Sequence, residues 1–253
     1  MNMQQKVVIK GKTLGEGKPL ICVPVMGEKK ELVIEQVRRL VDMKAQMIEW
    51  RIDAFENVSN SDAVNDVLEE LRSITENTIL VYTYRSKAQG GLGNDSRDTI
   101  EKLYRVGANS DVVDFVDVEF FANENCSKLI SELKKEGAKI IASHHDFDET
   151  PEEKIMKMLL EEMYNGRADI VKLAVMPQKA SDVISLIKVT EEFKQIHSDG
   201  LIITMSMGAL GAVSRIAGQL SGSCVTFGAG EVASAPGQLP FTKLDEILSL
   251  IEY

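Results

Sequence analysis

Eight short apolar runs recur along the chain at near-regular intervals, and this repeat limits the fold more than any other feature. They are LICVPV (20–25), MIEWRI (47–52), ILVYTY (79–84), VVDFVDVE (112–119), KIIASH (139–144), DIVKLAV (169–175), LIITMS (201–206) and CVTFG (224–228). Their β-branched content and short length read as strands. Most are apolar almost throughout rather than alternating, as in strands covered on both faces. The longer stretches between them carry charges and helical periodicity. KKELVIEQVRRLVDMK (29–44) places Leu32, Val33, Gln36, Val37, Leu40 and Val41 near one face. PEEKIMKMLLEEMYNG (151–166) predicts a helix capped by Thr150, with Pro151 in its first turn and Gly166 at its end. SDVISLIKVTEEFKQI (181–196) predicts another, entered through Ser181 and Asp182, and residues 242–252 predict the last.

Strand followed by helix, eight times over, implies parallel strands joined by crossovers. Eight such units in 253 residues fit an α/β fold of the closed (β/α)8 barrel type. A doubly wound open sheet is the alternative, but no GxGxxG follows the first strand. The opening segment KVVIKGKTLGEGKP (6–19) reads as a hairpin, making 1–19 an N-terminal extension that closes the bottom of the barrel. Neither a low-complexity linker nor a shift of composition divides the chain, so residues 1–253 read as a single barrel domain.

Composition narrows the function classes. With 29 Lys+Arg against 39 Asp+Glu the formal charge is −10, which leaves no basic stripe for nucleic acid. A pocket can still be locally positive in a negative protein. Cys22, Cys126 and Cys224 are widely spaced and odd in number; two of them sit inside apolar β-like runs, where a buried reduced thiol is expected, and without a CxxC or Cys/His cluster they do not point to a metal. The polar start, residues 1–6, lacks the apolar stretch of a signal peptide. The longest apolar stretch, residues 201–213, is interrupted by Thr204 and Ser206 and is too short to span a bilayer. A cytoplasmic protein with no membrane association is expected.

In such a barrel the active site lies at the carboxyl ends of the strands. The second strand ends in Glu49, Arg51 and Asp53, which alternation puts on one side. The third ends in Thr83-Tyr84-Arg85, followed by Gln89-Gly90-Gly91; the fourth carries Asp117 and Glu119. Lys172 sits within the apolar sixth strand, where burial disfavours the ammonium and makes a neutral amine accessible. Such an amine is the nucleophile needed for a Schiff base with a ketone or aldehyde. The alternative is an interior lysine paired with Glu49, Asp117 or Glu119.

Of His144 and His145 only one can point inward with Lys172, because adjacent strand residues face opposite ways. An inward histidine can remove a proton beside an imine and return it to a leaving group; a hydrogen-bonded structural histidine is the alternative. His197 reads as a surface residue. Arg51, Arg85 and Arg215 follow strand exits, which suits an anionic, hydroxyl-bearing ligand, unless they pair with Glu49, Asp53 or Glu119. GEVASAPGQLP (230–240) reads as a loop over the barrel mouth that brings Ser234 and Gln238 to a ligand, or as an ordinary connection to the last helix.

IEWRID (48–53), TYRSKAQGG (83–91), SHHDF (143–147), VKLAVMP (171–177), SMGALGAVSR (206–215) and SAPGQ (234–238) closely resemble type I 3-dehydroquinate dehydratase. These motifs cover nearly the whole chain in the right order. The resemblance implies a (β/α)8 barrel, usually a homodimer, acting at the third step of the shikimate pathway without metal or cofactor. It implies that Lys172 forms an imine with the C3 ketone of 3-dehydroquinate. His145 would take the C2 proton and help the C1 hydroxyl leave as water in a syn elimination. Arg215 would bind the substrate carboxylate, with Ser234 and Gln238 beside it. Glu49, Arg51 and Arg85 would hold the ring hydroxyls, and Met205, Phe147 and Phe227 would form apolar walls.

One position departs from that pattern. The family usually has a glutamate before Gly-Gly, thought to orient and polarise the catalytic histidine, and here Gln89 occupies it. A glutamine oxygen still accepts a hydrogen bond but supplies no opposite charge, so reduced or pH-shifted activity is expected. Two other readings stand beside the dehydratase. A class I aldolase also carries an imine lysine on a barrel strand, although the paired histidines and lid motif speak against it. A catalytically weakened barrel that binds a shikimate-type acid is suggested by Gln89.

Overall fold

The computed structural model of the chain describes residues 7–230 and 234–252. Strands β1 (Val7–Ile9) and β2 (Lys12–Leu14) form an antiparallel hairpin with Val7 opposite Leu14. Its two turn residues, Lys10 (φ 48°) and Gly11 (φ 74°), are both left-handed, the arrangement whose twist matches two paired strands.

The barrel consists of β3 (Leu20–Val25), β4 (Met47–Arg51), β5 (Ile79–Thr83), β6 (Phe115–Glu119), β7 (Ile140–His145), β8 (Ile170–Val175), β9 (Leu201–Ser206) and β10 (Val225–Phe227). All pair in parallel, in the order β10-β3-β4-β5-β6-β7-β8-β9. The circle closes beside β10, where Ser223 bridges Ile202 and the Cys224 amide donates to the Ile202 carbonyl at 2.8 Å. Around the strands lie α1 (Lys30–Asp42), α2 (Ser61–Ile74), α3 (Arg97–Ala108), α4 (Cys126–Lys135), α5 (Glu153–Asn165), α6 (Ala180–Ile196), the short α7 (Gly218–Ser221) and α8 (Phe241–Leu250). The expected (β/α)8 architecture is the observed one. No helix among the described residues is long and apolar enough to cross a membrane.

Strand alternation divides the apolar side chains between two cores. Leu80 and Tyr82 of β5 join Trp50, Val116 and the helices in the outer core, whereas Ile79 and Val81 join Met47, Phe115, Ile141 and Ile203 inside the barrel. In β8 the same period sends Val171, Leu173 and Val175 outward and Ile170 and Ala174 inward. Lys172 shares the inward register, so its charge is carried into the barrel by the strand's geometry.

The hairpin seals the base of this barrel. Ile9 and Leu14 are buried in the inner core. Lys10 Nζ reaches the carbonyls of Thr75 and Thr78, each at 3.0 Å, and the Asp114 carboxylate at 2.7 Å, all ahead of β5 and β6. Residue 6, included in the expected hairpin, lies outside the described residues.

Several local expectations are corrected. α1 buries Val33, Ile34, Val37 and Leu40, while Leu32 is exposed, so its inner face is turned from the one read in the sequence. Thr150 does not cap α5, which follows Glu152; its hydroxyl donates to the Met176 carbonyl at 3.0 Å and ties the loop after β7 to the end of β8. β6 starts at Phe115 rather than residue 112, because Asp114 uses its carboxylate to accept from the Leu80 amide at 2.7 Å. All three cysteines are buried and free, Cys126 as well as the two in apolar runs of which this was expected.

Candidate active site

Lys172 is almost fully buried, but it is not alone among apolar groups. Its Nζ lies 3.0 Å from Asp117 Oδ2 and 3.5 Å from Glu49 Oε1, and 4.4 Å from the centre of the Phe227 ring. The expectation of an amine isolated by its apolar neighbours is therefore corrected: Val171, Leu173 and Val175 face the helices, and the inward amine meets two carboxylates. Both pairings are the ones left open for an interior lysine, whereas Glu119 is taken up elsewhere.

Asp117 is shared. Its Oδ1 accepts from Arg85 Nη2 at 2.7 Å and from the Ser143 hydroxyl at 2.6 Å. Burial pushes the Asp117 carboxyl up, but Arg85, Lys172 and Ser143 together outweigh this and bring its pKa down to about 2. Arg85 also donates through Nη1 to Glu119 and to Ser143, each at 3.0 Å. Burial works against its guanidinium, yet Asp117 and Glu119 hold it firmly charged. Glu119 accepts from the amide and hydroxyl of Ser86 at 2.9 and 2.7 Å, and Glu49 from the Thr83 hydroxyl at 2.9 Å. With these bonds in place the buried ions are compensated, and removing one partner would leave its neighbour uncompensated.

The histidine pair is settled by strand alternation. His145 lines the cavity with Lys172, whereas His144 packs edge-on against Phe121 with ring centres 5.3 Å apart. Gln89 Oε1 accepts from the His145 backbone amide at 2.9 Å and lies 3.0 Å from its ring Nδ1. An amide oxygen is only an acceptor, so this contact assigns the ring proton to Nδ1 and leaves Nε2 with a free lone pair. Burial, followed by the positive charges of Arg85, Lys172 and Arg51, holds the His145 pKa well below its ordinary value.

Gln89 is set by a tight turn. Gly90 has φ 78°, and a Cβ there would fall 2.2 Å from Phe147 Cζ. Only glycine fits both the left-handed backbone and this close approach. Arg51 makes a two-pronged ion pair with Asp53, Nε and Nη2 each donating at 2.7 Å. Burial raises the Asp53 carboxyl, but Arg51 and two backbone amides bring it below its usual range.

One cavity is lined by residues of six barrel strands' ends and loops. Of the residues expected at the site, it brings together Glu49, Arg51, Arg85, Gln89, His145, Lys172, Ser234 and Gln238, with Phe147, Met205 and Phe227 as apolar wall. Arg215 does not line it. Its fully buried guanidinium instead donates to the carbonyls of Gly237 (2.9 Å), Pro236 (3.0 Å) and Phe227 (3.4 Å), and burial lowers its pKa to about 10. Ser234 and Gln238 are joined to each other: the Ser234 amide donates to Gln238 Oε1 at 2.8 Å, and Gln238 Nε2 to the Ser234 hydroxyl at 3.0 Å. Residues 231–233 of the expected mouth loop lie outside the described residues.

Sequence reasoning listed Asp117 and Glu119 only as optional ion-pair partners. Their signal was two carboxylates two residues apart within an otherwise apolar strand, which places both inward. Met207 and Ala174, apolar lining residues, carried no signal that separates them from core. Among the described residues no group of three or more His, Cys, Asp or Glu could hold a metal ion.

The closed parallel barrel and the lysine, histidine and arginines gathered at its strand ends define the class: an enzyme of the (β/α)8 type with a buried amine in its active site. Residues 21–253 match the family model for type I 3-dehydroquinase. A 3-dehydroquinate dehydratase from Clostridioides difficile (strain 630) is 42% identical over 250 residues, 98% of each chain. A crystal structure of a type I enzyme from Clostridium difficile, with covalently modified comenic acid, superposes with a TM-score of 0.94 at 41% identity over 98% of both chains. The 3-dehydroquinate dehydratase of Geobacillus kaustophilus HTA426 gives 0.93 at 31% identity, covering 99% of this chain and 98% of that one. The chain belongs to the type I 3-dehydroquinase family.

Proposed function

We propose that the protein dehydrates 3-dehydroquinate to 3-dehydroshikimate through a Schiff base on Lys172, as a step of the shikimate pathway. The observation that carries this reading is the meeting of Lys172 and a proton-accepting His145 in one cavity. Lys172 passes a proton to His145 and attacks the C3 ketone as the free amine; His145 returns that proton as the carbinolamine oxygen leaves as water, which gives the protonated imine. Asp117 and Glu49, 3.0 and 3.5 Å from Nζ, provide the counter-charge for that cationic nitrogen. The imine withdraws electrons, so His145 Nε2 can take the C2 proton and the C–H electron pair moves into the imine to give an enamine. The enamine then expels the C1 hydroxyl, which takes the proton from His145 and leaves as water. Hydrolysis of the conjugated imine releases the product and restores Lys172. The water lost in imine formation balances the water used in hydrolysis, so one water is released in all.

Glu49, Arg51 and Arg85 serve the ring hydroxyls in this reading, and Ser234 and Gln238 approach from the mouth. Arg215 binds the carboxylate once it exchanges backbone carbonyls for an anionic partner, a charge-assisted and therefore stronger pair. The protein works in the cytoplasm as a homodimer, with the residues of each catalytic site drawn from one chain.

Incubation with 3-dehydroquinate tests the proposal. Turnover appears as the near-ultraviolet absorption of a conjugated enone carboxylate, and borohydride added during turnover leaves a mass adduct on the peptide carrying Lys172. Lys172→Met abolishes both. Binding without turnover or adduct would instead identify a ligand-binding barrel.

A further inference from the structure

We propose that Asp53 is a positioning residue that fixes Arg51 in the orientation from which it meets substrate. This inference rests on the dehydratase reading of the site.

Four hydrogen bonds converge on this one carboxylate. Two come from Arg51, through Nε to Oδ1 and Nη2 to Oδ2, each at 2.7 Å. The other two come from the backbone: Arg85 N donates to Oδ1 at 3.1 Å and Leu92 N to Oδ2 at 3.0 Å. The Asp53 side chain is itself inaccessible to solvent, against 7% exposure for that of Arg51. The anchor is thus set by groups that cannot swing. Arg85 and Leu92 bracket the turn bearing Gln89, and their amides come from the backbone rather than from flexible side chains.

Charge and geometry act together on Arg51. A forked guanidinium–carboxylate pair fixes the plane of the guanidinium as well as its place. Using Nε and Nη2 on Asp53 leaves Nη1 without a partner among the described residues, on a side chain that lines the cavity. Arg51 accordingly presents one donor edge to ligand, and Asp53 selects which edge. Without that carboxylate, the forked pair that fixes the guanidinium plane is lost. A guanidinium that turned to Glu49 instead would compete for a counter-ion of the reacting nitrogen.

A double-variant cycle tests this. kcat and KM for 3-dehydroquinate are measured for the unaltered protein, Asp53→Asn, Arg51→Ala and the two combined, with folding followed by thermal unfolding. Turnover by the unaltered protein decides the dehydratase reading, and the cycle decides the present one. Asp53→Asn is expected to lower kcat/KM by roughly 10²-fold, the cost of misplacing a substrate-positioning group by about 1 Å. The loss should divide between kcat and KM as it does for Arg51→Ala, and adding Asp53→Asn to Arg51→Ala should cost under about threefold more. A folded Asp53→Asn with unchanged kinetics overturns the inference, as does a loss fully additive with that of Arg51→Ala. Should Asp53→Asn alone fail to fold, because it strands a buried guanidinium, the comparison of Arg51→Ala with the combined variant still decides. Near-equal kinetics support the inference, and a further hundredfold loss overturns it.

Discussion

A single oxygen of Gln89 accepts from both the backbone amide and the ring Nδ1 of His145, at 2.9 and 3.0 Å. Main chain and imidazole are therefore held by the same atom, and the ring cannot turn without giving up one of its two attachments. Orientation is secured without a carboxylate, and the positive neighbours Arg85, Lys172 and Arg51 act on the ring unopposed by Gln89.

Gln89→Glu should preserve both hydrogen bonds and add the missing charge. A carboxylate beside Nδ1 favours the imidazolium, so the His145 pKa rises. The limb of the kcat/KM profile that reports the base should move to higher pH with it. The pH–rate profiles of the two proteins check this, and coincident profiles would sink the charge argument.

Asp117→Asn removes the counter-ion that Arg85 and Lys172 share. Breaking a buried ionic network from one side costs about 3–5 kcal/mol, which should appear as a lower urea midpoint. Imine formation should slow too, since the cationic nitrogen loses its nearest carboxylate. Stopped-flow mass analysis of the borohydride adduct measures that rate; a normal rate would mean that Glu49 alone suffices.

Acid should destabilise the unliganded protein before its carboxylates titrate. His145 and His144 both have folded-state pKa values lowered by burial, more so for His145. As pH falls below about 6.5 the unfolded chain takes up protons that the folded chain refuses, so stability declines. The slope approaches about 1.4 kcal/mol per pH unit for each histidine. A second loss follows below about 4, as Asp117 moves toward its folded value of about 2. Denaturant titrations from pH 8 to 5 should show the first decline, and His145→Asn should flatten it.

Gly90→Ala combines a left-handed backbone with a Cβ driven into Phe147. The backbone alone costs about 1–2 kcal/mol, and the displaced turn carries Gln89 away from His145. A fall in kcat/KM on the order of 10- to 100-fold is expected. Gly90→Ala with Phe147→Ala removes the collision but keeps the backbone cost, so thermal unfolding of the pair should distinguish the two contributions.

The barrel was legible because each strand writes its own apolar run, and the inward placement of Lys172 follows from a period of two within β8. Choosing between His144 and His145 required the strand's phase, which resemblance supplied and the structure shows in the Phe121 contact. Less accessible was the division of carboxylates among cations. Whether Lys172 meets Asp117 or Glu119 depends on how β6 is registered against β5 and β7, where Asp117 pairs with Thr83 and Ile141. The phase of α1 was misread for a related reason: Leu32 and Ile34 are equally apolar, and only the packed neighbours decide which turns inward. The motif puts Arg215 on the ligand, but its guanidinium is satisfied by loop carbonyls that no local pattern reveals.

The hairpin beneath the barrel has a consequence for traffic. With Ile9 and Leu14 filling the base, the described residues leave substrate, product and the water exchanged at Lys172 the end of the barrel where Ser234 and Gln238 line the cavity. Departure of one occupant must precede arrival of the next, so the residues at that end of the barrel bear on how often the chemistry can begin as well as on what the pocket admits.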